Sequence, residues 1–157
     1  MATTGPNVRP GEKPPTLERL GRLNTAAGAD AYARYWMRTL DWAYATTSSA
    51  AIRNLYTSSC AGCAAFSRNI IDSTRAANEH FIGGRIVVTD STVQANDGHA
   101  GATAVIDLTF NQTPLKVISA SGRQDGEAPS IHAGTFRNWL RWTGSRWTIV
   151  DWKRAVK

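Results

Sequence analysis

The chain has 157 residues, 42% of them apolar and 19% charged, with a net charge of +6. That length suits one domain with a real core, and the composition excludes wholesale disorder. No apolar run approaches the roughly 18 residues of a membrane span, and so modest a basic excess predicts no nucleic-acid partner.

Residues 1–20 carry Pro6, Pro10, Pro14 and Pro15 among glycines and charges, with almost nothing apolar. Such a stretch cannot bury enough surface to offset its ordering entropy, so it predicts a flexible Pro-rich spacer ahead of one domain over 21–157. From about Asp30, the residues Ala29, Ala33, Trp36, Met37, Leu40 and Tyr44 recur at helical spacing. Tyr35 and Trp42 add a second apolar flank, as expected of a helix lying across a concave sheet. A short second helix is predicted with Ile52, Leu55 and Tyr56 inward. A third, capped by Ser58 or Ser59, buries Phe66, Ile70, Ile71 and Thr74 and ends before Gly83-Gly84.

The period then changes to two. Strands are predicted over 85–95, 102–110, 115–120, 131–143 and 146–154, with residues 121–129 as a loop. In the second of these, Ala104, Ile106, Leu108 and Phe110 share one face, and Val105, Asp107 and Thr109 the other. Helices first and strands after predict an α+β fold, a cone of N-terminal helices packed on one curved antiparallel sheet.

This layout resembles the nuclear-transport-factor-2-like superfamily, the SnoaL-like or cystatin-like cone, whose members share a closing hairpin similar to WLRWTGSRWTIVDW. More specifically, residues 24–154 look like an actinobacterial lipoprotein family of unknown function. The matching positions are Tyr32, Arg34, Tyr35, Trp36, Ala43, Tyr44, Cys60, Cys63, Gly83, Gly84, Trp142, Trp147 and Asp151. The resemblance implies an extracytoplasmic domain, tethered through the spacer and a lipid carried outside the given sequence. It brings no enzymatic activity.

Cys60 and Cys63 are the only cysteines. At a helix start their spacing permits a disulfide, which an extracytoplasmic setting favours. A redox pair is the alternative, but a thioredoxin-like motif follows a strand, and here helices flank the pair. Two cysteines cannot complete a zinc site, and no His or Cys stands close by, so no metal and no cofactor are expected. His80, His99 and His132 are scattered, with His99 expected in a solvated turn.

Two families of candidate sites remain. Enzymes of the cone fold place an acid or base in the pocket, which here would be Asp107 or Asp41 with Tyr32 beside it. The competing reading turns Asp107 and Asp151 outward to pair with Arg137 and Arg141. The closing hairpin sets Trp139, Trp142, Trp147 and Trp152 among Arg137, Arg141 and Arg146. Strand alternation puts Trp139 and Trp142 on opposite faces, and one face is expected to be an exposed Trp/Arg surface for a protein partner. Tyr35 and Trp36 are further ligand candidates near the cone's mouth.

The resulting expectation is a non-catalytic binding or accessory domain of a lipoprotein, contacting an envelope protein or a small apolar ligand. A phage-encoded surface-exclusion lipoprotein fits the same layout. Alternatives are a SnoaL-like isomerase, hydrolase or dehydratase, and a secretion-system assembly domain that forms a homodimer through the sheet.

Overall fold

The computed structural model describes residues 2–155. Helix α1 spans Ala26–Thr46, opened by Thr25, whose Oγ1 accepts a hydrogen bond from the Gly28 N–H at 3.0 Å. It closes at Thr47 in the left-handed conformation, where the peptide N–H reaches Ala43 O. The whole expected stripe is buried, from Ala29 to Tyr44, and so are the flanking Tyr35 and Trp42. Burying side chains the size of Trp36, Met37 and Leu40 contributes about 1.5–3 kcal/mol each, so α1 is the centre of the core.

A 3-10 turn over Ser49–Ala51 stands where a short helix was expected, with Ile52 buried behind it. The next helical element begins at Ala61. Its N-cap is Cys60 rather than either serine, because the cysteine Sγ occupies the capping position toward the Cys63 N–H at 3.3 Å. α2 (Ala61–Ala65) runs through a π-helical stretch (Phe66–Asp72) into α3 (Ser73–Ala76). The wider π turn puts Phe66 and Ile71, five apart, on the buried side, and leaves Ile70 40% exposed. Ile70 was expected inside.

Seven antiparallel strands follow: β1 His80–Gly83, β2 Ile86–Gln94, β3 Ala104–Gln112, β4 Leu115–Ile118, β5 Gln124–Ala128, β6 Ile131–Trp142 and β7 Trp147–Arg154. β1 and β5 were not predicted. HFIG is short, and QDGEA over 124–128 has no apolar alternation, so nothing local marked either as a strand. Where one curved sheet was expected, there are two, ordered β2-β3-β6-β7 and β1-β4-β5.

The break between the sheets has a local cause. Gly83 and Gly84 both have positive φ, 71° and 66°, while Pro114 interrupts the facing strand. A Cβ on Gly83 would lie 2.1 Å from Pro114 O. Hydrogen bonds from Gly84 N to Pro114 O and from Thr113 N to Arg85 O carry the backbone pairing around this corner.

The expected flexible spacer is a docked strap over its described residues. Ala2 O accepts from Trp42 Nε1 at 2.9 Å, Asn7 exchanges hydrogen bonds with Gly83, and Glu12 is bound to Arg85. Polar contacts hold this segment, which is why a search for apolar residues could not find its docking.

Candidate functional site

α1, α2 with the π-helical stretch, and one face of the four-stranded sheet line a cavity of about 400 Å³ that opens to solvent. Its walls are mainly Leu40, Ala65, Phe66, Ile70, Ile86, Phe136 and Trp152, and its polar groups come from Tyr44, Asn69 and Gln112. Aromatic edges shape it. Tyr44 meets Phe66 edge-on at 5.5 Å, Phe66 meets Trp152 at 5.6 Å, and Trp152 leans on Phe136 at 4.5 Å. Gln112 Nε2 donates to Gly84 O at 3.1 Å, so the sheet corner fixes that amide.

The π turn positions the helical wall. It sets Asn69 and Ile70 beside Phe66 on the cavity wall, while Ile71 stays in the core. Burial pushes the Tyr44 hydroxyl up to about 12, with Gln112 pulling the other way. Tyr44 is therefore a neutral hydrogen-bond donor throughout the physiological range. The lining residues include no carboxylate and no histidine.

The predicted catalytic residues lie elsewhere and apart. Asp41 faces away from this cavity. Its carboxylate takes Arg85 Nε at 3.0 Å, Arg85 Nη2 at 2.7 Å and the Ile86 N–H at 2.7 Å. Asp107 pairs with its cross-strand neighbour Arg137 through two hydrogen bonds of 2.8 and 2.7 Å, which is the competing reading made above. Tyr32 is 3% exposed and donates to Leu55 O at 3.2 Å.

Asp151 does not pair with Arg141; its carboxylate meets His99 Nε2 at 2.6 Å and Lys153 Nζ at 3.1 Å. Burial raises its pKa, but hydrogen bonds from His99, the Trp152 N–H and Lys153 prevail and hold it below the usual carboxylate range. His99 is thus not a free turn residue. It also lies 4.6 Å from the Trp139 ring.

The expected exposed tryptophan surface is absent from the closing hairpin. Trp139 is 8% exposed, packed with Ala102, Val105 and Val150 on the outer face of the sheet, where the Asp97 carboxylate accepts from its Nε1. Trp147 is 3% exposed and donates to Leu23 O at 2.8 Å. Trp142 is half-buried, edge-on to Trp147 at 5.4 Å. A bulge between Trp139 and Leu140 lets Leu140 and Ile149 enter the core while Trp139 and Val150 face out. Trp36 is fully buried, Arg141 and Arg146 are exposed, and Tyr35 borders a separate cavity.

Cys60 and Cys63 form a disulfide, with Cα atoms 5.3 Å apart, and both residues are buried. It ties the first turn of α2, whose Gly62 and Ala65 line the 400 Å³ cavity. The residues that the sequence reading missed as cavity walls are Ala65, Asn69, Gln112 and Phe136. The apolar helical pattern signalled the neighbourhood of the first two, but not their outward turn.

Fold and site together define an α+β domain with an apolar ligand-sized cavity between helix and sheet. The chain belongs to a family of unknown function (DUF6318), whose model matches residues 10–153. No curated protein matches it. Among solved structures it is similar to the intermembrane space region of chloroplast protein ARC6, at 12% identity and a TM-score of 0.57, covering 86% of this chain and 99% of that one. It also matches Aln2 from a Streptomyces species at 12% identity and a TM-score of 0.43, covering 80% of this chain and 85% of that one.

Proposed function

We propose that this domain is a non-catalytic, extracytoplasmic binding module that takes a small apolar ligand into the cavity between α1, the π-helical stretch and the sheet. The observation that carries this reading is the cavity itself: about 400 Å³, apolar walls, and three uncharged polar side chains to orient a guest. Ligand sites of this size are commonly apolar with a few convergent polar groups. The Cys60–Cys63 bridge supports the compartment, since disulfides persist where the environment is oxidising. A lipid tether on the N-terminal side and a cone of the nuclear-transport-factor-2-like kind are parts of the same proposal.

A pocket carboxylate would be needed for the SnoaL-like alternative. Asp41 and Asp107 are each engaged by an arginine away from the cavity, so binding is the better-supported reading.

The test is titration of the purified chain with N-phenyl-1-naphthylamine, an uncharged probe that brightens in apolar surroundings. Micromolar binding to the wild type is expected, weakened at least tenfold in Ala65→Phe, whose ring fills the cavity from its helical wall. Unchanged probe binding by a folded Ala65→Phe variant would overturn the proposal.

A further inference from the structure

A second cavity, of about 340 Å³, lies at the other half of α1 and shares no residue with the first. One wall comes from Leu17 of the strap and from Gly21 and Arg22 of the 3-10 turn that follows it (Arg19–Arg22), and α1 supplies Tyr32 and Tyr35. Leu55 and the turn between β6 and β7, with Ser145 and Arg146, complete it. The two tyrosine rings meet edge-on at 6.1 Å with their planes 63° apart and are both buried, giving an angled aromatic wall. Arg22 and Arg146 are exposed at the cavity, and among the described residues neither has a carboxylate within 4 Å. No acidic side chain lines the cavity. It is a place where two positive charges border an aromatic surface with nothing to neutralise them.

The frame around those arginines is fixed. Thr143 donates through both its N–H (2.9 Å) and its Oγ1 (3.0 Å) to Arg146 O, which sets the hairpin turn. Trp147 Nε1 bonds Leu23 O at 2.8 Å, joining that hairpin to the segment that follows Arg22. Tyr32 bonds Leu55 O across the remaining side. Arg22 itself makes only a long 3.4 Å contact to Leu17 O. A rigid cradle with free guanidinium groups loses little on binding, because only the two arginine side chains must be ordered. Burial raises the Tyr32 hydroxyl pKa, and the positive charge of Arg146 works against it.

We infer that this cavity is a second binding site, for a small molecule carrying an oxyanion on a flat apolar body. The oxyanion, a phosphate or carboxylate, lies between Arg22 and Arg146, and the body rests on Tyr35 and Leu17. Guanidinium groups match such oxyanions through paired hydrogen bonds, and an aromatic wall favours a flat body. The same headgroup chemistry is available from a free metabolite-sized anion or from an anionic lipid.

The full chain is titrated with 1-naphthyl phosphate and with uncharged 1-naphthol, with binding sites mapped by amide NMR shifts. It is also mixed with vesicles of phosphatidylglycerol and of phosphatidylcholine. Arg22→Gln and Arg146→Gln remove the charges at exposed positions, and unchanged melting temperatures verify their folds. Naphthyl phosphate is expected to shift resonances around Tyr32, Tyr35 and Arg146, with each substitution weakening binding about tenfold. Naphthol binding, where seen, is expected to ignore both substitutions. Arginine-dependent capture by phosphatidylglycerol vesicles alone would assign the oxyanion to a lipid headgroup. Binding of either anion that survives the double variant, or silence of both anionic probes at millimolar concentration, overturns the inference.

Discussion

Arg85 brings a full positive charge to a position where its side chain is only 6% exposed, and two carboxylates meet it there. Asp41 comes from α1 and Glu12 from the strap, with Asn7 O accepting a further hydrogen bond at 3.1 Å. Removing one partner of a buried ion pair leaves the other uncompensated, at about 3–5 kcal/mol. Arg85→Ala is therefore expected to lower stability by about 3 kcal/mol in denaturant unfolding and to open residues 2–18 to limited proteolysis. Glu12 makes the same clasp sensitive to acid. The hydrogen bond from Arg85 holds its carboxyl below the ordinary value of 4.5. A carboxylate with a depressed folded pKa stabilises fully above its unfolded value, and loses that contribution as pH falls through the folded one. Lower amide protection factors over residues 2–18, taken relative to the intrinsic exchange rate at each pH, are thus expected as pH falls below about 4.5, and Glu12→Gln should show them already at pH 7. At Cys60–Cys63 the closed loop is short, so Cys60→Ser with Cys63→Ser should cost about 2 kcal/mol by the chain-entropy model, measured as a shift in denaturant midpoint.

At the scale of elements, the π-helical stretch decides what the cavity contains. Phe66 and Ile71 are five apart, and both are buried because the turn is one residue wider than an α turn. Deleting Asn69 would bring them to the α-helical spacing of four and preserve the buried stripe through Thr74. The variant is expected to keep its helical circular dichroism yet bind the apolar probe at least tenfold more weakly, since Ile70 and the amide of Asn69 leave the wall. The corner between the sheets is a second such element. Gly83→Ala combines a left-handed backbone with a Cβ 2.1 Å from a carbonyl oxygen, and should destabilise by about 3 kcal/mol. Much of this level was legible in sequence. The stripe from Ala29 to Tyr44 and the face of Ile106, Leu108 and Phe110 are buried as their periods require. β5 was not legible, because Gln124–Ala128 is a strand through pairing with β4 rather than through its own composition.

Across the whole molecule, the two cavities sit on opposite halves of α1, one neutral and apolar, the other aromatic and rimmed with positive charge. With no shared wall residue, they should behave as independent sites. Ala65→Phe is expected to leave naphthyl phosphate affinity within about twofold of wild type. The Arg22→Gln, Arg146→Gln double variant should do the same for the apolar probe. Titrating each variant with both probes checks the separation.

The α+β class, the long apolar helix and most strands were determined by sequence alone, because periodicity and turn chemistry act over short distances. Tertiary structure alone decided where the polar groups went. Asp107 met Arg137 through cross-strand register, Asp41 met Arg85 across the layers, and the Pro-rich segment docked through polar contacts such as Arg85 to Glu12, which leave no hydrophobic pattern. The cavities belong to the same class of fact. They are spaces between elements distant in the chain, and no local run of residues encodes a space.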